Sequence, residues 1–400
     1  MIQNDTKFYM LFTSMLEQVP TKKPYNKDPT GHTEIRDLDH LLAMLNHIIT
    51  TAPSWSDRSH GVGMVGLPFN ALFDWPMATP SGFAAFLDPE VNKMIKKILN
   101  TWGSFLTSPE SASVLSDHSD GWFGPTAAKD LTNVANNAAG STSSFEQLFE
   151  CDSSQKYHGY TSWDNFFTRK FRFSEGVRPV AAPDHDEIIA NACESTPYNL
   201  AHNVKYRDRF WIKGQPYSVS DMLAHDELSK DFAGGTIYQA FLSALSYHRW
   251  HTPVSGKIVK PYVKDGTYFS EPLFESFADP HGPDPGGQST GQGYITETAT
   301  RAIIFIEADN KDIGLMAAIF VGMVEVSTCD ITVKEGQHVK KGDELGMVRI
   351  VSRPFTSRVL TAVCSFTSVA PPTVCCSGRV STSRASPSLE DRPTCQLDQN

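Results

Sequence analysis

Apolar residues recur every three or four positions along the first part of the chain, which is the spacing of one helical face. A first stripe of leucines and isoleucines covers residues 38–49. A stronger one covers residues 91–105 and is preceded by Asp88, a residue type that caps helices, and by Pro89, which favours the first turn. The pattern therefore predicts an N-terminal helical domain over residues 1–150, with these stripes packed in its core.

The pattern changes near residue 160, where runs rich in Ile, Val and Phe are separated by turn residues. The small, polar segment 133–144 predicts a loop before this change. Four runs predict strands of a second domain over residues 151–347: 187–195, 256–263, 301–309 and 315–328. The chain is therefore expected to be an α+β protein in which a β-rich domain follows a helical one.

The pattern breaks down in "HVKKGDELGMVRIVSRPFTS", residues 338–357. Up to Met347 the segment predicts a strand, a tight turn and a second strand. The 53 residues 348–400 contain nine Ser, six Arg, no Lys and three acidic residues. Few apolar positions remain there for a core, so we predict an aberrant, disordered tail.

Charge and composition restrict the function. The formal net charge of −10 argues against a nucleic-acid surface, which is normally basic. The longest apolar run, residues 314–324, is too short to span a bilayer, and the first ten residues lack the features of a secretory signal. Seven cysteines without a regular framework agree with a reducing compartment. We therefore expect a soluble cytoplasmic protein without a transmembrane segment.

The segment "SALSYHRWHTPVSG", residues 243–256, carries the most suggestive side chains. His248 and His251 are three residues apart, so a helical turn would place them on one side and a strand on opposite sides. Acid–base catalysis, a metal pair or two hydrogen-bonded histidines at a packed turn are all compatible with this spacing. No third metal ligand is evident nearby, so no metal site is predicted.

Five blocks in order resemble the phosphatidylserine decarboxylase family, and within it the soluble fungal branch that includes L-tryptophan decarboxylases of the psilocybin pathway. The blocks are "YTSWDNFFTRKF" (160–171), "RPV" (178–180), "ACES" (192–195), "YHRWHTPVSG" (247–256) and "VKEGQHVKKGDELG" (333–346). The resemblance covers roughly residues 35–347. It implies a carboxy-lyase that acts on a small amine or amino acid, here an aromatic one similar to L-tryptophan.

The resemblance also implies a covalent pyruvoyl group, which such a proenzyme makes by cutting its own chain at a Gly-Ser bond and which serves as electron sink. By resemblance, His251 would activate the cleaving serine, Glu194 would orient His251, and His248 would be the acid or base during decarboxylation. Tyr268 and Phe269 would lie near the substrate. The alternative for Glu194 is a half-buried carboxylate paired with Lys or Arg, and for the aromatic pair it is ordinary core.

The serine that the family requires is missing at its usual place. No Gly-Ser pair follows Gly346, and Ser352, the off-motif candidate nucleophile, is preceded by Val351. A β-branched residue does not readily adopt the backbone that glycine permits. The resemblance also implies final strands that are absent here, so we expect a β domain truncated at its C-terminal end. We therefore expect that this chain does not form the pyruvoyl group and is inactive as written.

Three other functions remain open at this point. A phosphatidylserine decarboxylase would need a membrane-binding face, and no basic amphipathic segment is visible. A non-catalytic pseudoenzyme would bind amines or partners without turnover. A biotinyl- or lipoyl-type carrier is suggested by the turn at Lys340-Lys341, but the residues that flank the modified lysine in such carriers are absent.

Overall fold

A computed structural model describes residues 2–208, 218–273, 291–350 and 363–367. The described chain is helical up to residue 175 and mostly β-stranded from residue 196. The α-helices of this part are α1 (Thr6–Gln18), α2 (Leu38–Ile48), α3 (Asp57–Gly61), α4 (Pro68–Met77), α5 (Pro80–Leu87), α6 (Pro89–Leu106), α7 (Pro125–Ala139), α8 (Phe145–Leu148), α9 (Trp163–Phe167), α10 (Val219–Met222) and α11 (Gln292–Thr298). Short 3-10 helices occupy Ile2–Asn4, Pro109–Val114, Lys156–Gly159, Phe173–Glu175 and Glu227–Phe232.

Both predicted helices are confirmed, with the cap that the sequence indicated. The carboxylate of Asp88 accepts hydrogen bonds from the backbone N–H groups of Glu90 and Val91 at 2.9 and 3.4 Å. The loop predicted over residues 133–144 is wrong for its first half, because α7 continues to Ala139 and ends at Gly140 in the left-handed conformation. Alanine favours the helix there, and Ala135 is buried on its inner face.

The strands form two antiparallel sheets. The strands are β1 (Thr196–His202), β2 (Thr236–Phe241), β3 (Arg249–His251), β4 (Gly256–Lys264), β5 (Arg301–Ala308), β6 (Leu315–Val321), β7 (Thr328–Ile331), β8 (His338–Val339), β9 (Glu344–Arg349) and β10 (Val363–Thr367). The large sheet has the order β1-β2-β10-β6-β5-β4-β8, and the small sheet has the order β3-β9-β7. The α+β class is confirmed.

Most strand predictions hold, and one is wrong. The predicted runs at 256–263, 301–309 and 315–328 correspond to β4, β5 and β6 with the start of β7. The run 187–195 is not a strand, although its backbone satisfies hydrogen bonds of its neighbours. The Ala190 N–H donates to the Pro253 carbonyl, and the Ala192 carbonyl accepts from the His251 N–H at 2.7 Å. A segment that crosses the end of a sheet in this way needs no ladder of its own.

The predicted strand–turn–strand at residues 338–347 is present, but its two strands enter different sheets. β8 pairs with β4 in the large sheet, whereas β9 pairs with β3 and β7 in the small one. The turn between them closes where the Lys340 N–H donates to the Asp343 carboxylate at 2.8 Å. Gly342 occupies it with φ 92°, a conformation that favours glycine. This turn therefore connects the two sheets beside β3.

Two parts of the range 348–400 are paired rather than disordered. β9 continues through Arg349, and the backbone of β10 pairs with β2 on one side and β6 on the other. Because β2 and β6 lie one strand apart, their facing N–H and C=O groups need a partner between them, which β10 supplies. The rest of the predicted tail lies outside the described residues, and the domain boundaries remain a prediction.

The helical part and the sheets share one apolar core. Phe86 of α5 packs against Phe269, which follows β4, with ring centroids 6.0 Å apart, and Phe73 of α4 packs against the same ring at 4.9 Å. A second, smaller cluster lies on the other face of the large sheet around Phe232 and Phe305. Among the described residues, no helix is both long and apolar enough to cross a membrane.

Candidate active site

Strand β3 places the two predicted histidines in different surroundings. His251 ends the strand and His248 directly precedes it, so the extended backbone sends their rings to different neighbours. The His248 ring stacks on Phe167 at 4.0 Å, and the His251 ring packs beside Tyr247 and Phe173 at 5.8 and 5.2 Å. The helical-turn arrangement, in which both rings share one side, is therefore not what the chain adopts.

The hydrogen bonds of His251 define its neutral tautomer. Its Nδ1 lies 2.7 Å from the Gly342 carbonyl, an acceptor, so Nδ1 carries the proton. Its Nε2 lies 3.1 Å from the Tyr247 hydroxyl, which then donates. Burial lowers the pKa of His251 from its ordinary value. The ring is therefore a neutral base whose Nε2 is held by Tyr247 and whose orientation is set by the turn between β8 and β9.

His248 is more deeply buried and has one nitrogen without a partner. Its Nε2 donates to the Ala244 carbonyl at 3.0 Å, which fixes the proton on that nitrogen. Its Nδ1 is buried and has no hydrogen-bond partner among the described residues. Burial lowers the pKa of His248 to about 3, so the ring stays neutral near pH 7. Nδ1 is thus an acceptor enclosed in the protein interior.

Glu194 binds Arg178 and not His251. The guanidinium Nε of Arg178 donates to Glu194 Oε2 at 2.7 Å, and its Nη2 donates to the Ala135 carbonyl of α7 at 2.7 Å. The expected contact by which Glu194 orients His251 is therefore absent among the described residues, and the alternative of a carboxylate paired with a cation applies. The physical reason is that the Gly342 carbonyl already occupies Nδ1 of His251.

Aromatic rings nevertheless connect the two groups. The Arg178 guanidinium lies 4.2 Å from the Phe171 ring, and that ring packs on Tyr247 at 4.5 Å. Burial raises the pKa of Glu194, while the neighbouring Arg178 opposes the rise. Its second oxygen, Oε1, is buried without a partner among the described residues. Glu194 therefore belongs to the same site but reaches His251 only through intervening side chains.

Buried ion pairs fix the small sheet that carries His251. Arg249 donates through Nη1 to both oxygens of Glu344 at 3.0 and 2.9 Å. At the other end of β9, Arg349 donates to Asp164 Oδ2 at 2.8 Å, and both side chains are less than one tenth exposed. Sequence reasoning missed these partners, as it missed Tyr247, Gly342 and Arg178. All of these residues except Arg349 stand in the five quoted blocks, which was the only local signal.

The remaining predicted site residues divide into core positions and positions without a description. Phe269 is fully buried between Phe73 and Phe86, so the core alternative applies to it. Tyr268 is also buried, and its N–H donates to the Asn92 side chain of α6 at 3.2 Å. Ser352 lies outside the described residues. Within the described part of the chain, no group of three or more His, Cys, Asp or Glu could hold a metal ion.

Comparisons with known proteins fit this arrangement. Two family models, both described as phosphatidylserine decarboxylase, match residues 1–131 and 163–355. L-tryptophan decarboxylase of Psilocybe cyanescens is 40% identical over 354 residues, which cover 86% of this chain and 75% of that protein. The chain belongs to the phosphatidylserine decarboxylase family. The match begins at residue 1, so the family resemblance extends further towards the N-terminus than the predicted start near residue 35.

Two further relatives show how the similarity is distributed. Decarboxylase iboD of Amanita muscaria is 42% identical over 321 residues, 76% of this chain and 88% of that protein. The phosphatidylserine decarboxylase proenzyme of Anoxybacillus flavithermus is 26% identical over 207 residues, 51% of this chain and 70% of that protein. The chain is thus a carboxy-lyase by family and is more similar to these two fungal decarboxylases than to this phosphatidylserine decarboxylase proenzyme.

The family is pyruvoyl-dependent, and the residues of this chain do not fit formation of that group. No Gly-Ser bond follows Gly346 in the sequence. The described backbone stays in a paired strand up to Arg349, whose guanidinium is committed to the buried pair with Asp164. The segment after Gly346 therefore lacks the bond from which such a group is formed.

Proposed function

We propose that this chain has the substrate site of an aromatic amino-acid decarboxylase but does not process itself. The observation that carries the substrate class is the identity of about 40% to fungal L-tryptophan decarboxylase across most of both chains. The substrate is then a small amino acid in solution rather than a lipid.

The geometry suggests a role for each polar group. His251 acts as base at Nε2, which requires that the Tyr247 hydroxyl first moves away from this nitrogen. His248 accepts a hydrogen bond or proton at its free Nδ1, because its other nitrogen is fixed by the Ala244 carbonyl. Glu194 Oε1, buried and without a protein partner among the described residues, is available to a substrate ammonium group.

The non-processing half of the proposal rests on the sequence after Gly346. When present, the pyruvoyl group supplies the electron sink for loss of carbon dioxide. A chain that lacks the Gly-Ser bond keeps its histidines and carboxylate without that sink. This favours a second candidate function, a non-catalytic protein that binds amines, over phosphatidylserine decarboxylation.

Incubation of the purified chain with carboxyl-labelled L-tryptophan, and separately with labelled phosphatidylserine, tests both halves. We expect no labelled carbon dioxide from either substrate. Release from L-tryptophan together with a cut chain would contradict the non-processing half, and release from phosphatidylserine alone would contradict the substrate class. The matched variant is Val351→Gly, which creates a Gly-Ser pair with one substitution. Any self-cleavage is expected to be faster in this variant than in the unaltered chain.

A further inference from the structure

A buried carboxylate joins helix α4 to the turn between two strands of the sheets. Glu325 lies in the turn between β6 and β7 and is completely buried. Its Oε1 accepts a hydrogen bond from the Phe69 N–H at 2.8 Å, and the Asn70 N–H lies 3.2 and 3.1 Å from its two oxygens. These N–H groups belong to the first turn of α4, where helix N–H groups have no partner within the helix. The contact spans about 255 residues of sequence.

The turn that presents Glu325 is held in an unusual conformation. Val324, the preceding residue, has φ 51°, in the left-handed region that β-branched residues rarely adopt. The Ser327 hydroxyl donates to the Val324 carbonyl at 2.5 Å and the Met323 N–H donates to the Val326 carbonyl at 3.4 Å, which closes the turn. Such a strained backbone conformation persists only where surrounding contacts stabilise it. The hydrogen bonds between the Glu325 carboxylate and the first turn of α4 are among these contacts.

Among the described residues, no cationic side chain pairs with the carboxyl group of Glu325. The groups that act on its carboxyl are the backbone N–H groups of Asn70, Phe69 and Glu325 itself, and burial outweighs them and raises its pKa to about 7. The titratable residue of α4 is Asp74, one turn further along and also acidic. A buried acceptor without a partner among the described residues, Asn70 Oδ1, lies on the same turn of α4. A proton on Glu325 would therefore be well tolerated, and a negative charge would lack a counterion.

We propose that Glu325 is a proton-controlled latch that fastens α4 to the turn between β6 and β7. The latch holds while the carboxyl carries its proton and loosens when the carboxyl ionises. Glu325 is connected to the candidate site through paired strands. The same turn leads directly into β7, which pairs with β9, and β9 pairs with β3 at His251. Loosening of the latch would thus release one end of the small sheet.

The expected pH dependence follows from the two ionisation states. The carboxyl titrates near 4.5 when α4 is undocked and near 7 when it is docked, so the docked state is favoured below pH 4.5 and loses this advantage as the pH rises through 7. Between pH 6 and pH 8, this linkage increases the opening equilibrium of α4 about tenfold. The change is steepest between pH 4.5 and pH 7 and levels off below and above that range.

Hydrogen–deuterium exchange of the intact chain measures this opening. Exchange of peptides that contain the first turn of α4 is compared at pH 6 and pH 8, after correction for intrinsic exchange rates. We expect protection to fall about tenfold in the unaltered chain and to stay constant in Glu325→Gln, which keeps a carbonyl acceptor but cannot ionise. The control is Glu297→Gln in α11, which removes another buried carboxyl with a pKa raised to about 8. It should leave the tenfold change in α4 intact.

Two outcomes would overturn the proposal. One is an equal fall of protection in the unaltered chain and in Glu325→Gln, because another group would then control α4. The other is a constant protection in the unaltered chain across this pH range. Should Glu325→Gln fold poorly, Glu325→Asp provides the second arm. Its shorter carboxylate still titrates but reaches α4 less well, so we expect lower protection at both pH values with part of the pH dependence retained.

Discussion

The two sheets of this protein differ in the kinds of side chain that they bury. β5 and β6 in the middle of the large sheet bury almost only Ile, Phe, Ala, Met and Val. The small sheet of three strands buries Arg249 and Arg349 and carries His251 and Glu344. The apolar sheet depends on packing, whereas the polar sheet depends on charges that meet from distant parts of the sequence. The difference indicates which part carries chemistry and which part supports it.

The largest expected loss of stability follows from removal of the ion pair between Arg349 and Asp164. Arg349→Met removes the partner of Asp164 and leaves a buried carboxylate without its cation, which should lower the free energy of unfolding by about 3–5 kcal/mol. Urea unfolding measures this value. The control is the double variant Arg349→Met with Asp164→Leu, which removes both charges and should recover much of the loss. A single variant no less stable than the double one would show that the pair does not hold the sheet.

A substitution in the apolar sheet is the counterpart. Ile304 is completely buried in β5, so Ile304→Ala should lower the free energy of unfolding by about 2–5 kcal/mol through lost burial and a cavity. Leu200 in the edge strand β1 is 43% exposed, and Leu200→Ala should change stability by less than about 0.5 kcal/mol. Equal losses at both positions in urea unfolding would mean that the centre of the large sheet is not the main source of stability.

Acid pH should act on the polar side through His248. The folded pKa of about 3 lies below the ordinary value of 6.5, so only the unfolded chain binds the proton between these values. Stability is therefore full above pH 6.5 and falls as the pH drops towards 3. From pH 6.5 to pH 5 the loss is about 2 kcal/mol. Urea unfolding of His248→Gln over the same range should lack this part of the loss, and an unchanged pH dependence would contradict the burial argument.

The smallest loss of stability expected in the candidate site comes from removal of the hydrogen bond between Tyr247 and His251. Tyr247→Phe deletes the hydroxyl that donates to Nε2 and should lower the free energy of unfolding by about 1 kcal/mol. Because this hydrogen bond stabilises the neutral ring, its loss should raise the pKa of His251, as followed by NMR titration. The control is Tyr262→Phe, which removes a hydroxyl that donates to the Leu223 carbonyl instead. A pKa of His251 unchanged in Tyr247→Phe would mean that the hydroxyl does not hold Nε2.

Local patterns predicted the two strongest helices and the central strands. The reason is that the spacing of apolar residues within one helix or strand already indicates which of its faces is buried. The site was predictable only as far as short segments carry it. The pair His248 and His251 was found, but the ion pairs that hold the strands around them are not local. Arg249 meets Glu344 across 95 residues, and Arg349 meets Asp164 across 185 residues. No periodicity records such distances.

The contacts of Glu194 and of Phe269 differ from those expected, and the reason is the same in both cases. Glu194 was assigned to His251 by resemblance, but the Gly342 carbonyl reaches that ring first because the turn between the sheets places it there. Phe269 was assigned to a substrate pocket, but two phenylalanines from α4 and α5 enclose it. In both cases the deciding neighbour comes from another element, and its position follows from the three-dimensional packing.

We propose that this member of the phosphatidylserine decarboxylase family has a histidine site but does not cut its own chain. The most direct test is the intact mass of the purified chain under denaturing conditions. We expect a single species at 44.2 kDa. Two fragments divided near residue 351, the smaller one resistant to Edman degradation because its N-terminus is a ketone, would contradict it and would identify Ser352 as the nucleophile.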